Sequence, residues 1–296
     1  MTSAAAPFPR WRVDGALILV ALIWGTTFVL VKEALRDIST LLFLTLRFSL
    51  ASVALAALFR KQVRDGPGPA GWRDTLTGGA LAGVCLFTGY VLQTLGLKYT
   101  SAAKTGFITG LYIPLVPLIG ALVYKKLPRT VELMGVGLAL AGMGLLTLQG
   151  DSLSVGLGDL LVMGCAVAYA FHILVLGHFA PRVSAPLLTV VQIAVGAGLG
   201  AAAFWWVEPV RVRWSPQVWA ALGVTSLLAT ALAFGIQTWA QRYSSATRTA
   251  LIFSLEPVFA WGTSYLALGE TLSARGIVGA VLILAGILVV EVRPSR

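Results

Sequence analysis

The chain has 296 residues, of which 57% are hydrophobic and only 11% charged. A water-soluble domain carries about a quarter charged residues to wet its surface, so a soluble globular protein is excluded. The net charge of +10 then reads as basic anchoring at helix ends rather than a nucleic-acid footprint, and no nucleic-acid partner is expected.

In chain order, Arg10 and Arg12 precede an apolar run that continues to about Val31 and ends at Lys32. The onset is like a signal peptide, but no small-residue cleavage site follows, so an uncleaved first span is predicted. That span is placed at 14–34, with others at 40–60, 75–97, 101–124 and 131–149. A second set falls at 157–178, 185–207, 216–240, 246–267 and 273–292. Each run is long enough to cross ~30 Å of hydrocarbon as a helix. A helix also satisfies its own backbone polar groups where there is no water to do so. The expected fold is an all-α integral membrane protein with ten transmembrane helices. The one long connection, RKQVRDGPGPAGWRD at 60–74, is Pro/Gly-rich and leaves no room for a separate domain.

The chain repeats itself. Residues 93–105 read QTLGLKYTSAAKT, and residues 237–249 read QTWAQRYSSATRT. Asp14 and Trp24 align with Asp159 and Tyr169, Arg47 with Gln192, and Gly135, Ala141 and Gly142 with Gly279, Ala285 and Gly286. Two repeats are therefore expected, 1–150 and 151–296, of five helices each. Because five is odd, the second must enter the membrane from the opposite side, and such inverted repeats place a binding site near the midplane. Basic residues favour the side shared by the termini (Arg10, Arg12, Arg60, Lys61, Arg64, Arg73, Lys125, Lys126, Arg129, Arg182, Arg242, Arg248, Arg293, Arg296) over the other (Lys32, Arg36, Lys98, Lys104, Arg211, Arg213, Arg275). Both termini are thus expected in the cytoplasm of a cell (inner) membrane protein. Glycine pairs at Gly79/Gly83, Gly106/Gly110 and Gly196/Gly200 are packing signals.

Glu256 is the sharpest candidate for chemistry. A carboxylate deep in span nine, followed by Pro257, is costly unless it faces a wet cavity, meets a cation or stays protonated. It reads as a contact for a substrate amine or a proton-responsive group, with a structural ion pair or hydrogen bond near the proline break, Arg47 being one candidate partner, as the alternative. Thr249, Phe253 and Glu256 share one helical face, and Thr105, Thr109 and Tyr112 share the matching face of span four. Equivalent faces carry Tyr90, Gln93 and Thr94 against Phe234, Gln237 and Thr238, and Trp24 and Thr27 against Tyr169 and His172. The expected cavity lining is Trp24, Thr27, Tyr90, Gln93, Thr109, Tyr112, Tyr169, His172, Gln237, Phe253 and Glu256. Helix packing is the alternative for each aromatic, and cross-helix bonding for the glutamines. His172 is either a proton relay or a helix–helix hydrogen-bond donor. Arg47 either binds a carboxylate or pairs structurally. Lys104 and Arg248 read as anchors or gate contacts, and Pro114, Pro117 and Pro257 as interruptions of spans four and nine. Trp205, Trp206, Trp214 and Trp219 read as interface anchors.

Enzyme signals are missing. Ala103-Lys104-Thr105 lacks the glycines of a P-loop, and His172 and His178 do not share a helical face. Cys85 and Cys165 have no CxxC spacing. No HExxH, GxSxG or paired carboxylates occur, so neither catalysis, a metal nor a cofactor is expected.

The chain resembles the EamA-type drug/metabolite transporter family, including its YddG-like aromatic amino-acid exporters. The resemblance rests on IWGTTFVLVK at 23–32, TLRF at 45–48, RYSSATRTALIFSLEP at 242–257 and LGET at 268–271. The first half departs from the pattern, with Lys125-Lys126 where the second has Gly269-Glu270. The resemblance implies a ten-helix inverted-repeat exporter of small metabolites, often amino acids, acting as a monomer in the bilayer. The aromatic lining makes Phe, Tyr and Trp fitting cargo. Glu256 would meet the α-amino group, and helix-end dipoles or hydroxyls the carboxylate. The alternatives are cationic drugs or sugar-linked metabolites as cargo, and a non-transporting membrane enzyme or scaffold.

Overall fold

The computed structural model describes residues 8–67, 71–100, 102–125, 127–147, 156–260, 262 and 274–292. Lys126, the LGET stretch, Arg293 and Arg296 lie outside them. The chain is all-α: α1 Arg10–Ala34, α2 Thr40–Leu58, the short α3 Arg60–Asp65, α4 Gly71–Gly96, α5 Ala102–Thr109, α6 Tyr112–Tyr124 and α7 Thr130–Thr147. The second half holds α8 Leu157–Phe179, α9 Ala185–Val207, α10 Pro216–Ser226, a π-helical turn Leu227–Leu232, α11 Ala233–Ala240, α12 Ala246–Phe253 and α13 Ala274–Val292. Residues 256–260 are also helical.

Six helical stretches are long and apolar enough to cross a membrane: α1, α2, α4, α8, α9 and the continuous Pro216–Ala240. Tyr112–Tyr124, Thr130–Leu145 and Ala274–Val289 are shorter apolar helices. The burial pattern is inverted relative to a soluble protein. Leu122, Leu127 and Trp206 are exposed, while Arg47, His172, Gln192 and Gln237 are buried. Lipid solvates the apolar exterior, so polar groups turn inward to find partners.

Expected span four is broken between α5 and α6 at Gly110-Leu111, and expected span nine at Ser254-Leu255 after α12. These are equivalent positions of the repeat. At both, bonds shorten to i→i+3: Leu111 N–H to Ile108 O and Ser254 N–H to Leu251 O, each 3.1 Å. Pro114 and Pro257 explain the placement, since each lacks the amide that would bond the carbonyl four residues back, on Gly110 and Phe253. The interruption thus precedes the prolines, which sit in the first turn of the second half-helix, where a missing N–H costs little. Pro117 is a correction to the sequence reading, because it lies inside α6 without ending it.

Helix starts follow local chemistry. Ser215 caps α10 and Ser245 caps α12, accepting from Val218 N–H and Arg248 N–H. Packing of α7 on α13 is reciprocal. A Cβ on Gly142 would meet the Gly279 carbonyl oxygen, and one on Gly286 would meet that of Gly135. A reciprocal contact between equivalent residues is what a two-fold relation between repeats produces.

Two large hydrophobic cores and a smaller cluster around Ala82, Leu176 and Leu188 fill the bundle among the described residues. One large core gathers Leu17, Ile113, Ala170, Phe253 and Ile283, the other Phe43, Phe48, Leu86 and Ile193. Trp24 and Tyr169, equivalent in the repeat, pack against both.

The two ends are tied differently. At the end where α1 finishes, Ser39 N–H donates to Arg211 O at 2.8 Å, Arg213 pairs with Asp37 at 2.7 Å, and Lys98 pairs with Glu208 at 2.9 Å. The Ser215 hydroxyl and the Arg213 guanidinium hold the Asp37 carboxyl below the usual carboxylate range. At the end where α1 begins, Arg248 grips Asp14 bidentately, Nε to Oδ1 at 2.9 Å and Nη2 to Oδ2 at 2.6 Å.

Candidate functional site

One cavity lies between the halves. All eleven residues expected from the sequence line it. The walls come from α1 (Trp24, Thr27), α4 (Tyr90, Gln93), α5 and α6 (Thr109, Tyr112), α8 (Tyr169, His172), α11 (Gln237), α12 (Phe253) and the turn that follows it (Glu256). Tyr112 and Glu256 each open the second piece of a broken helix.

The aromatic part is a packed set of rings. Trp24 meets Phe253 edge-on at 5.0 Å and Phe234 at 5.2 Å, and Tyr90 meets Tyr169 at 5.8 Å. Such tilted and edge contacts are the favoured ones for rings with polar faces and edges. The Trp24 indole N–H donates to Ala229 O at 2.9 Å. That carbonyl belongs to the π-helical turn, whose wider winding opens the backbone bonding pattern and which often marks functional positions.

The polar part separates the repeat partners. Gln93 donates from Nε2 to Thr109 Oγ1 at 3.1 Å and accepts from the Tyr169 hydroxyl at 3.4 Å. Gln237 donates to Gln241 Oε1 at 3.0 Å, but its own Oε1 is buried without a partner among the described residues. The two glutamines agree in sequence and differ in what they have left to offer. His172 Nε2 lies 2.8 Å from Gln192 Oε1, and Gln192 Nε2 donates to Thr238 Oγ1 at 2.9 Å. His172 therefore makes the helix–helix bond weighed from sequence.

The sequence reading left out several lining residues. Val31, Leu86, Leu97 and Ile173 also face the cavity, and nothing in their apolar character distinguishes them from core. Thr94 and Phe234 stood on the expected faces and belong with the lining too. Arg47 is the informative one. It lines the cavity while 4% exposed. Its Nε donates to Thr230 Oγ1 at 2.7 Å, and its Nη2 to the Tyr90 hydroxyl at 3.0 Å and Ala229 O at 3.4 Å. Among the described residues no carboxylate pairs with it, so the Arg47–Glu256 ion pair weighed from sequence is not formed.

Glu256 is held by backbone packing. A Cβ on Gly25 of α1 would lie 2.6 Å from Glu256 O and 2.9 Å from Ala260 N. Only glycine lets α1 approach the helical segment 256–260 this closely. Among the described residues there is no His/Cys/Asp/Glu group able to hold a metal ion.

Comparison with known proteins supplies the family. The EamA-like transporter family model matches twice, over residues 11–148 and 156–292. An uncharacterized transporter of Archaeoglobus fulgidus is 34% identical over 96% of this chain and 87% of its own length. A protein of Salmonella typhimurium named a probable amino-acid metabolite efflux pump is 27% identical over 93% of this chain and 94% of its own. A solved crystal structure superposes with a TM-score of 0.77 over 95% of this chain and 96% of that one, at 19% identity, which speaks to fold alone. With both halves of its length matched by one family model, this membrane protein belongs to the EamA-like transporter family.

Proposed function

We propose that the protein exports amino acids and related amphipathic metabolites by alternating access around the cavity between its halves. The halves, 1–150 and 151–296, are inverted repeats that rock against one another. Basic residues at the end where α1 begins orient both termini to the cytoplasm of the inner membrane. The protein works as a monomer.

The observation that carries the reading is the character of the lining. Rings from both halves, Trp24, Tyr90, Tyr112, Tyr169 and Phe253, surround amides, hydroxyls and the Glu256 carboxylate. Rings offer stacking and apolar contact to Phe, Tyr and Trp side chains. Glu256 offers a charge-assisted bond to an α-amino group. The similarity to the Salmonella protein named a probable amino-acid metabolite efflux pump supports the same cargo class.

A cationic drug is the rival cargo, because a carboxylate among aromatic rings also suits a cation. Arg47 in the same lining counts against it, since a like charge repels.

The test is uptake of each of the twenty amino acids by purified protein in proteoliposomes, with and without a pH gradient. Saturable uptake led by Phe, Tyr and Trp is expected. No uptake of any amino acid, or equal competition by unrelated cations, contradicts the reading.

A further inference from the structure

We propose that Arg47 is the carboxylate anchor of a zwitterion-selective site, with Glu256 as the opposing ammonium anchor. The inference rests on the amino-acid reading above and names the half of the cargo that reading left to hydroxyls and helix ends.

A guanidinium cannot lose its charge at ordinary pH, so burying one without a counter-ion is expensive. Arg47 is buried in α2, and its partners among the described residues are all neutral: a threonine hydroxyl, a carbonyl, and the hydroxyl and ring face of Tyr90. Those bonds occupy Nε and Nη2 and hold the group in place, while Nη1 takes no part in them. Thr230 and Ala229 both lie in the π-helical turn, so one irregular segment supplies two of the acceptors that hold Arg47. The Tyr90 hydroxyl accepts from Arg47 and keeps its own proton, which makes it a second donor to a carboxylate beside the guanidinium.

Glu256 lines the same cavity and makes no ion pair among the described residues. A guanidinium and a carboxyl group facing one space without closing on each other fit a ligand carrying both a carboxylate and an ammonium group between them. Gln237 Oε1, on a residue 1% exposed and without a partner among the described residues, adds a buried acceptor to the same lining. An acceptor left bare in the protein suits an N–H of the cargo. The site therefore selects the α-amino acid backbone, leaving the aromatic walls to the side chain.

The experiment is uptake of labelled L-phenylalanine into proteoliposomes, with competition by unlabelled phenylalanine, by 2-phenylethylamine (no carboxylate) and by 3-phenylpropionate (no amine). Wild type should prefer phenylalanine to either analogue by about tenfold or more, the loss expected for one charged hydrogen bond. In Arg47→Gln the preference over 2-phenylethylamine should collapse to about threefold or less, while the preference over 3-phenylpropionate persists. Arg47→Lys should restore part of it, because it keeps the charge without the planar fork. Equal competition by phenylalanine and 2-phenylethylamine in wild type overturns the proposal without needing any variant to fold. A folded Arg47→Gln that keeps the wild-type preference overturns it as well. If phenylalanine enters and only the preference fails, this inference falls alone. If no amino acid enters wild-type vesicles, the functional reading falls and takes this inference with it.

Discussion

Glu256 and Arg47 show how far a single residue can be read. A lone carboxylate in an apolar run signals function because burying it otherwise costs too much, and its place in the lining agrees with that logic. Since Glu256 makes no ion pair among the described residues, Glu256→Gln keeps shape and removes only charge. Phenylalanine flux is predicted to fall about tenfold to a hundredfold, from loss of one charge-assisted bond. The detergent melting temperature should stay within a few degrees of wild type. Unchanged flux across pH would remove Glu256 from the mechanism. Arg47 was less legible. From sequence its carboxylate-binding and structural readings stood level, because nothing local reports which acceptors Thr230 and Ala229 bring from the other half.

At the scale of the element, the instructive features are the broken helices and the π-helical turn. Pro114 and Pro257 announced irregularity in the sequence, and the chemistry of a missing amide places each break a few residues upstream. The π-helical turn had no comparable signal, since LLATAL contains neither proline nor glycine. It is set by what its carbonyl and hydroxyl bond, Trp24 and Arg47, and both partners are far away in sequence. Short i→i+3 stretches in mid-helix are places where a hinge can form. The helical segment 256–260, just after the break, is packed against α1 through Gly25. Gly25→Ala should therefore separate two backbones, lowering stability by about 1–3 kcal/mol in a detergent melt and cutting flux. Gly106→Ala, where an added Cβ meets nothing within 4 Å, should be close to neutral. Equal melting temperatures for the two variants would mean the α1 contact is not tight.

For the whole molecule, the internal repeat made the architecture legible. Matching faces of equivalent helices named eleven residues, and those residues converge on one cavity. That works because a repeated segment that keeps polar residues on one face in apolar surroundings must turn that face toward something other than lipid. Divergence between the copies was harder to read. Gln93 and Gln237 look alike in sequence, yet one is satisfied and one is left with a bare oxygen. The four apolar wall residues were invisible, because core and cavity wall select the same side chains.

The central claim, that cargo passes through this cavity, is tested most directly by filling it. Thr27 lines the cavity, and among the described residues its hydroxyl bonds only the Trp24 carbonyl of its own helix, at 2.9 Å, so enlarging it breaks no hydrogen bond between the described helices. Phenylalanine counterflow should be measured in proteoliposomes holding equal amounts of wild type and Thr27→Trp, each checked for a single symmetric elution peak. The account predicts exchange by wild type and a loss of about tenfold or more in the plugged variant. Full exchange by folded Thr27→Trp would show that cargo takes another route.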